Sequence, residues 1–232
     1  MKCDRGNILF LILLAIVLFA ALTYAVTGGM AVKEDQRISS EKAQAASSSI
    51  VNYATLMENT INRLRMTNGC ADTQINFQTA SNGYTNSNAP PDEKCNLFSP
   101  NGGGIGWQAA DPSWLAPATG SEDATYGQWF FPHASLCIVG LGSATCTSQA
   151  SEKELMVQIR YVSDKVCSAI NAQLNQSLAA GTLCNLGTTG KFNGTYQALQ
   201  ANVCTPQNNK PTGCVPSTNS YGNVFYHVLW AR

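Results

Sequence analysis

Histidines, cysteines and paired carboxylates set what chemistry a chain can attempt, and this chain of 232 residues holds few of the first. It has two histidines, His133 and His227. His133 follows Pro132 in an apparent loop. His227 falls in an apolar run near the end of the sequence, where a packed or hydrogen-bonded role is expected. Asp92-Glu93 and Glu122-Asp123 form two acidic pairs in loop sequence. Such pairs suit general acid–base work or calcium, but their spacing matches no regular calcium loop. Solvated surface is the expectation for both. The run Gly102-Gly103-Gly104-Ile105-Gly106-Trp107 has the glycines of a phosphate loop. It lacks the preceding apolar strand and the following Lys-Ser/Thr, so it predicts a tight loop. No H-E-x-x-H or G-x-S-x-G occurs. The sequence thus predicts no enzyme: no catalytic residue, no metal ligand set and no cofactor.

The cysteines carry a different chemistry. There are nine. Cys3 precedes an apolar segment; Cys70, Cys95, Cys137, Cys146, Cys167, Cys184, Cys204 and Cys214 all follow it. An even number beyond a membrane-type segment predicts disulfides formed in an oxidising compartment. No C-x-x-C pair suggests zinc. Eight cysteines allow 105 connectivities. Pairing in chain order is the simplest expectation: Cys70–Cys95, Cys137–Cys146, Cys167–Cys184 and Cys204–Cys214.

The elements that position these residues begin with the apolar segment. After the charged stretch 1–6, residues 8–26 form 19 positions without a charge. As a helix at about 1.5 Å per residue they reach roughly 28 Å, close to a bilayer's hydrocarbon core. The expectation is a single-pass inner-membrane protein in contact with the lipid bilayer. Lys2 and Arg5 keep the short end cytoplasmic, and the cysteine-rich head lies in the periplasm or outside the cell. Three uses of such a segment compete: a cleaved secretory signal, a plain signal anchor and an assembly helix. Basic and acidic residues balance at 14 each, so no basic surplus points to nucleic acid.

Helical sequence continues beyond Gly28-Gly29. Ile50, Ala54, Met57, Ile61 and Leu64 recur at steps of four and three, one apolar stripe at helical spacing, and Ala43, Ala46 and Ser47 extend it upstream. Asn68-Gly69 supplies the stop. Further on, residues 128–131, 136–139 and 155–162 suggest strands. Ser163 stands where it caps a helix carrying Val166, Cys167, Ile170 and Leu174. Residues 223–230 read as a strand buried on both faces. The expected fold class is α+β, with a long N-terminal transmembrane/stalk helix packed on a disulfide-rich, mostly β globular head. Its parts are a leader at 1–6, a transmembrane helix at 7–27, a stalk helix at 28–69 and an exported head at 70–232.

The short basic leader, ending in Gly6 directly before the apolar run, resembles the prepilin leader of type IV pilins and type II secretion pseudopilins. The resemblance covers about the first 65 residues. It implies cleavage after Gly6 by a prepilin peptidase, leaving Asn7 as the new N-terminus. It also implies that the apolar helix packs into the core of a filament among other pilus or pseudopilus subunits. Two positions depart from the pattern. Asn7 stands where the family usually has Phe, and Leu11 where it usually has Glu, the residue that pairs with a neighbour's N-terminal amine. Lacking that contact fits a minor subunit better than a major one. The functional expectation is therefore a membrane-anchored, minor pilin-like subunit of a type IV pilus or secretion pseudopilus. The alternatives are a single-pass periplasmic binding protein that does not assemble, or an exported enzyme using the loop carboxylates.

Overall fold

The computed structural model describes residues 6–133, 137–138, 140–142, 151, 153–176, 190–197, 210–217 and 220–232, and for residues 6–9 and 24–38 the backbone alone. Helix α1 covers Gly6–Asn68. Two short 3-10 turns follow at Asp72–Gln74 and Pro112–Trp114. Strand β1 (Leu155–Val162), helix α2 (Asp164–Gln173), β2 (Thr212–Pro216) and β3 (Asn223–Trp230) complete the order. The chain divides into two compact units, 1–42 and 43–232.

The second unit is built on α1. Its apolar stripe packs inward: Ile50, Ala54, Met57, Ile61 and Leu64 are fully buried, and Ala43, Ala46 and Tyr53 nearly so. Each large member contributes about 1.5–3 kcal/mol by leaving water. Phe77, Phe131, Trp129, Leu155, Val157, Ile159 and Phe225 fill the other side of this core. Phe77 stacks on Phe131 with ring centroids 3.8 Å apart, and Trp129 meets Tyr53 of α1 edge-on at 5.0 Å. Helix α1 ends where expected: Gly69 takes φ +66°, the left-handed conformation that glycine adopts at low cost.

Strands β1, β3 and β2 form one antiparallel sheet in that order. β3 is central, pairing with β1 on one edge and β2 on the other, and Val224 to Leu229 are buried on both faces. β1 departs from simple pairing between Ile159 and Val162, where Tyr161 takes φ +62°. This bulge accompanies a fully buried Arg160, whose guanidinium lies 4.3 Å from the Phe130 ring and 3.9 Å from the Tyr221 ring. Asp123 neutralises it at 3.2 Å. Ser163 stands at the N-cap of α2 as expected, but its side chain makes no cap hydrogen bond.

Three expectations are corrected. Among the described residues no helix is long and apolar enough to cross a membrane. The transmembrane helix and the single-pass inner-membrane placement are overturned with it. Nor is the following stretch a stalk: from Ala43 onward α1 lies inside the core of the second unit. The head is not mostly β either. Its described residues hold one three-stranded sheet, and Phe130 and Pro132 make only isolated bridges, to Gln158 and Lys191.

The disulfides correct the chain-order pairing in part. Cys70 bonds Cys95 as that order expects, closing a separation of 25 residues. Cys167 bonds Cys214 across 47 residues, which overturns both Cys167–Cys184 and Cys204–Cys214. This bond ties α2 to β2, and Asn171 reinforces it by exchanging two hydrogen bonds with the Cys214 backbone. Cys137 is also disulfide-bonded. The expectations for Cys3, Cys146, Cys184 and Cys204 lie outside the described residues.

Two outcomes follow from this core. Ile61→Ala costs about 2–5 kcal/mol in urea unfolding, because it opens a cavity against packed neighbours. A non-reducing peptide map joins the peptides of Cys167 and Cys214, and their loss as a pair removes about 4 kcal/mol in the chain-entropy account.

Candidate functional site

Two places stand out, one in each unit. In the first, residues 10–22 of α1 carry large apolar side chains to the outside. Phe10 is 65% exposed, Leu11 56%, Ile16 59%, Phe19 69% and Leu22 64%. Consecutive helical residues point in directions 100° apart, so this run is apolar all round. The hydroxyl of Thr23, the next residue, is satisfied within the helix by the carbonyls of Phe19 at 2.7 Å and Ala20 at 3.0 Å. One face carries a groove lined by Ile12, Ala15, Ile16, Phe19, Ala20 and Thr23, in which the small Ala side chains leave room between larger ones. Gly6 opens α1 and Asn7 follows it in the helix; Leu11 stands exposed among the apolar side chains.

In the second unit, His227 sits within a polar relay. Its Nε2 lies 2.9 Å from Glu58 Oε2, and its Nδ1 is hydrogen-bonded to Thr212 Oγ1. A carboxylate only accepts, so Nε2 carries the hydrogen and, in the neutral ring, Nδ1 accepts from the threonine hydroxyl. The order hydroxyl–imidazole–carboxylate is that of a nucleophilic triad. Thr212 is buried at 7% exposure, however, so no substrate reaches its oxygen from solvent. What the relay does is join α1, β3 and β2 through the buried His227 and Thr212 and the partly exposed Glu58. Glu58 and Thr212 were not foreseen from sequence. The available signal was Glu58 itself, four residues after Ala54 on the flank of the buried stripe, where a carboxylate needs a partner.

The loop carboxylates do not converge. Asp92 pairs with Lys94 at 3.8 Å on the surface. Glu93 accepts from Ser99 Oγ at 2.6 Å. Glu122 accepts from the backbone N–H groups of Thr119 and Gly120, and hydrogen bonds from Thr119 hold its carboxyl down to about 2. Asp123 faces Arg160. Among the described residues no group of three His, Cys, Asp or Glu side chains is placed to hold a metal ion. His133 is half-buried, and burial pushes its pKa down.

The glycine run is a buttress for α1. A Cβ on Gly102 would fall 2.3 Å from the Asn96 carbonyl oxygen, and one on Gly103 2.1 Å from that of Leu97, so no larger residue fits this fold of the backbone. From α1, Arg63 Nη2 donates to the Gly103 carbonyl and the Tyr53 hydroxyl to that of Gly106, both at 2.7 Å.

Comparison with family models, with curated proteins and with solved structures finds no match to this chain.

The relay predicts a stability effect. Glu58→Ala or Thr212→Val each lowers unfolding free energy by about 1–3 kcal/mol, since each leaves one ring nitrogen of the buried His227 without its partner. Paired with the double variant in a thermodynamic cycle, the two losses are non-additive.

Proposed function

We propose that this chain is a non-enzymatic, pilin-like subunit, of the minor kind, in a type IV pilus or a secretion pseudopilus. One observation carries the reading: the apolar, exposed run 10–22 of α1. A helix that is apolar in every direction needs apolar neighbours on every side. In a filament the same segments of other subunits supply them. The short basic leader ending in Gly6 supports the reading from the sequence side, with prepilin peptidase as the processing partner and Asn7 as the mature start. Leu11 brings no carboxylate to a neighbour's N-terminal amine, which suits a subunit present in few copies. The disulfide-stapled second unit is the part left to make contacts outside the filament axis.

Processing and assembly test it separately. Intact mass of the protein from cells holding prepilin peptidase gives a start at Asn7; an unprocessed chain in those cells overturns the reading. Phe19→Asp places a charge in the apolar run. It lowers recovery of the chain with sheared filaments at least tenfold, while the unfolding midpoint of unit 43–232 stays where it was. Unchanged recovery overturns the assembly role.

A further inference from the structure

The chain holds four Asn–Gly pairs, at Asn68, Asn82, Asn101 and Asn193. Such a pair has a chemistry of its own. The nitrogen of the following residue can attack the asparagine Cγ, and glycine, with no Cβ, leaves that nitrogen open to approach. Two conditions have to be met: Cγ must be folded back over the glycine nitrogen, and water must reach the carboxamide. At Asn193 both hold. Its Oδ1 accepts the backbone N–H of Thr195 at 3.2 Å, an Asx turn, and also the Thr195 hydroxyl at 2.6 Å. A side-chain oxygen reaches an N–H two residues on only by curling over the peptide bond between, which sets Cγ beside the Gly194 nitrogen. Asn193 is exposed, and among the described residues nothing accepts the Gly194 N–H. The other three pairs each fail a condition. Asn82 makes the same turn, onto Tyr84, but is buried, and its amide nitrogen is held by the Phe77 carbonyl at 2.7 Å. The Gly102 N–H after Asn101 donates to the Ser99 carbonyl at 3.0 Å. Asn68 ends α1, and its amide nitrogen donates away, to the Lys94 carbonyl at 2.7 Å.

We propose that Asn193 is a site of spontaneous modification, losing its amide through a cyclic imide with help from the Thr195 hydroxyl, ahead of the other three. The Gly194 nitrogen gives its proton to solvent base and forms a bond to Cγ. Negative charge gathers on Oδ1, where the two Thr195 donors already point. The Cγ–Nδ2 bond then breaks, and the amide nitrogen leaves as ammonia with a proton from water. Water opens the ring at either carbonyl. Opening at Cγ gives aspartate; opening at the main-chain carbonyl carries the backbone through Cγ and gives isoaspartate. Either product adds a negative charge, and isoaspartate adds a methylene to the main chain. Gly194 is packed so close to Asn86 that a Cβ would fall 2.2 Å from the Asn86 Oδ1, and its carbonyl accepts Asn88 Nδ2 at 3.0 Å. The added methylene therefore loosens the tie between residues 190–197 and the loop at 86–88.

Ageing the full chain at mildly alkaline pH, with peptide mapping that separates asparagine, aspartate and isoaspartate, tests this. The same chain held in urea gives the rate of each pair without the fold. Asn193 converts first in the folded chain, roughly tenfold or more ahead of Asn68, Asn82 and Asn101, whereas in urea the four rates draw together. If another pair leads in the folded chain, or if Asn193 leads by the same margin in urea, the proposal fails. Thr195→Val keeps the shape and the backbone donor but removes the hydroxyl. Conversion of Asn193 then slows roughly two- to tenfold, the rate equivalent of one hydrogen bond. An unchanged rate overturns the assisted step.

Discussion

The second unit depends on one constraint: the apolar stripe of α1 from Ala43 to Leu64 has to be covered along its whole length. An isolated helix of this composition has little reason to persist in water, so tertiary burial carries it. Everything else in the unit is arranged around that need. The sheet contributes Leu155, Val157, Ile159 and Phe225 to the same core, and the loops contribute Phe77, Leu97 and Trp129. Where apolar cover ends, polar groups take over. Arg63 and Tyr53 reach the glycine run, Ser47 donates to Gln173 at 2.6 Å, and Glu58 engages His227. The helix is thus fixed in rotation as well as in place, since Ser47 and Glu58 hold it on one side and Tyr53 and Arg63 on others.

This arrangement explains which features could be read ahead of the structure. The stripe was legible because periodicity of 3.6 residues needs no partner to be seen. Strands 155–162 and 223–230 were legible because β-branched and aromatic residues run together there. Features set by distant partners were not. Cys167 and Cys214 meet only because α2 packs on β2, and nothing in their spacing says so. Arg160 looks like a surface charge until Phe130, Tyr221 and Asp123 close around it. Residues 128–131 have strand composition, yet their neighbours offer only a single bridge, so composition without a pairing edge made no strand.

The two candidate sites differed in the same way. The run 10–22 announces itself by composition, and its exposed apolar side chains carry the functional reading. The relay through His227 is invisible in sequence because its members lie 169 and 15 residues apart along the chain. Its geometry borrows the order of a catalytic triad, but the hydroxyl faces inward. Burial decides between chemistry and cohesion here, and it favours cohesion.

The Cys167–Cys214 bond has a topological effect on the sequence it encloses. Its two ends are anchored in α2 and β2, and among the described residues between them Ile170 and Phe192 belong to the core. A single peptide-bond cut anywhere inside that stretch would leave the two pieces covalently joined, with both anchors still in place. Substitution at Ile170, Phe192 or Thr212, all buried within that stretch, still reaches the core, whereas a cut leaves both anchors joined. The bond thus guards the body against a break in the chain and not against the loss of a packed side chain.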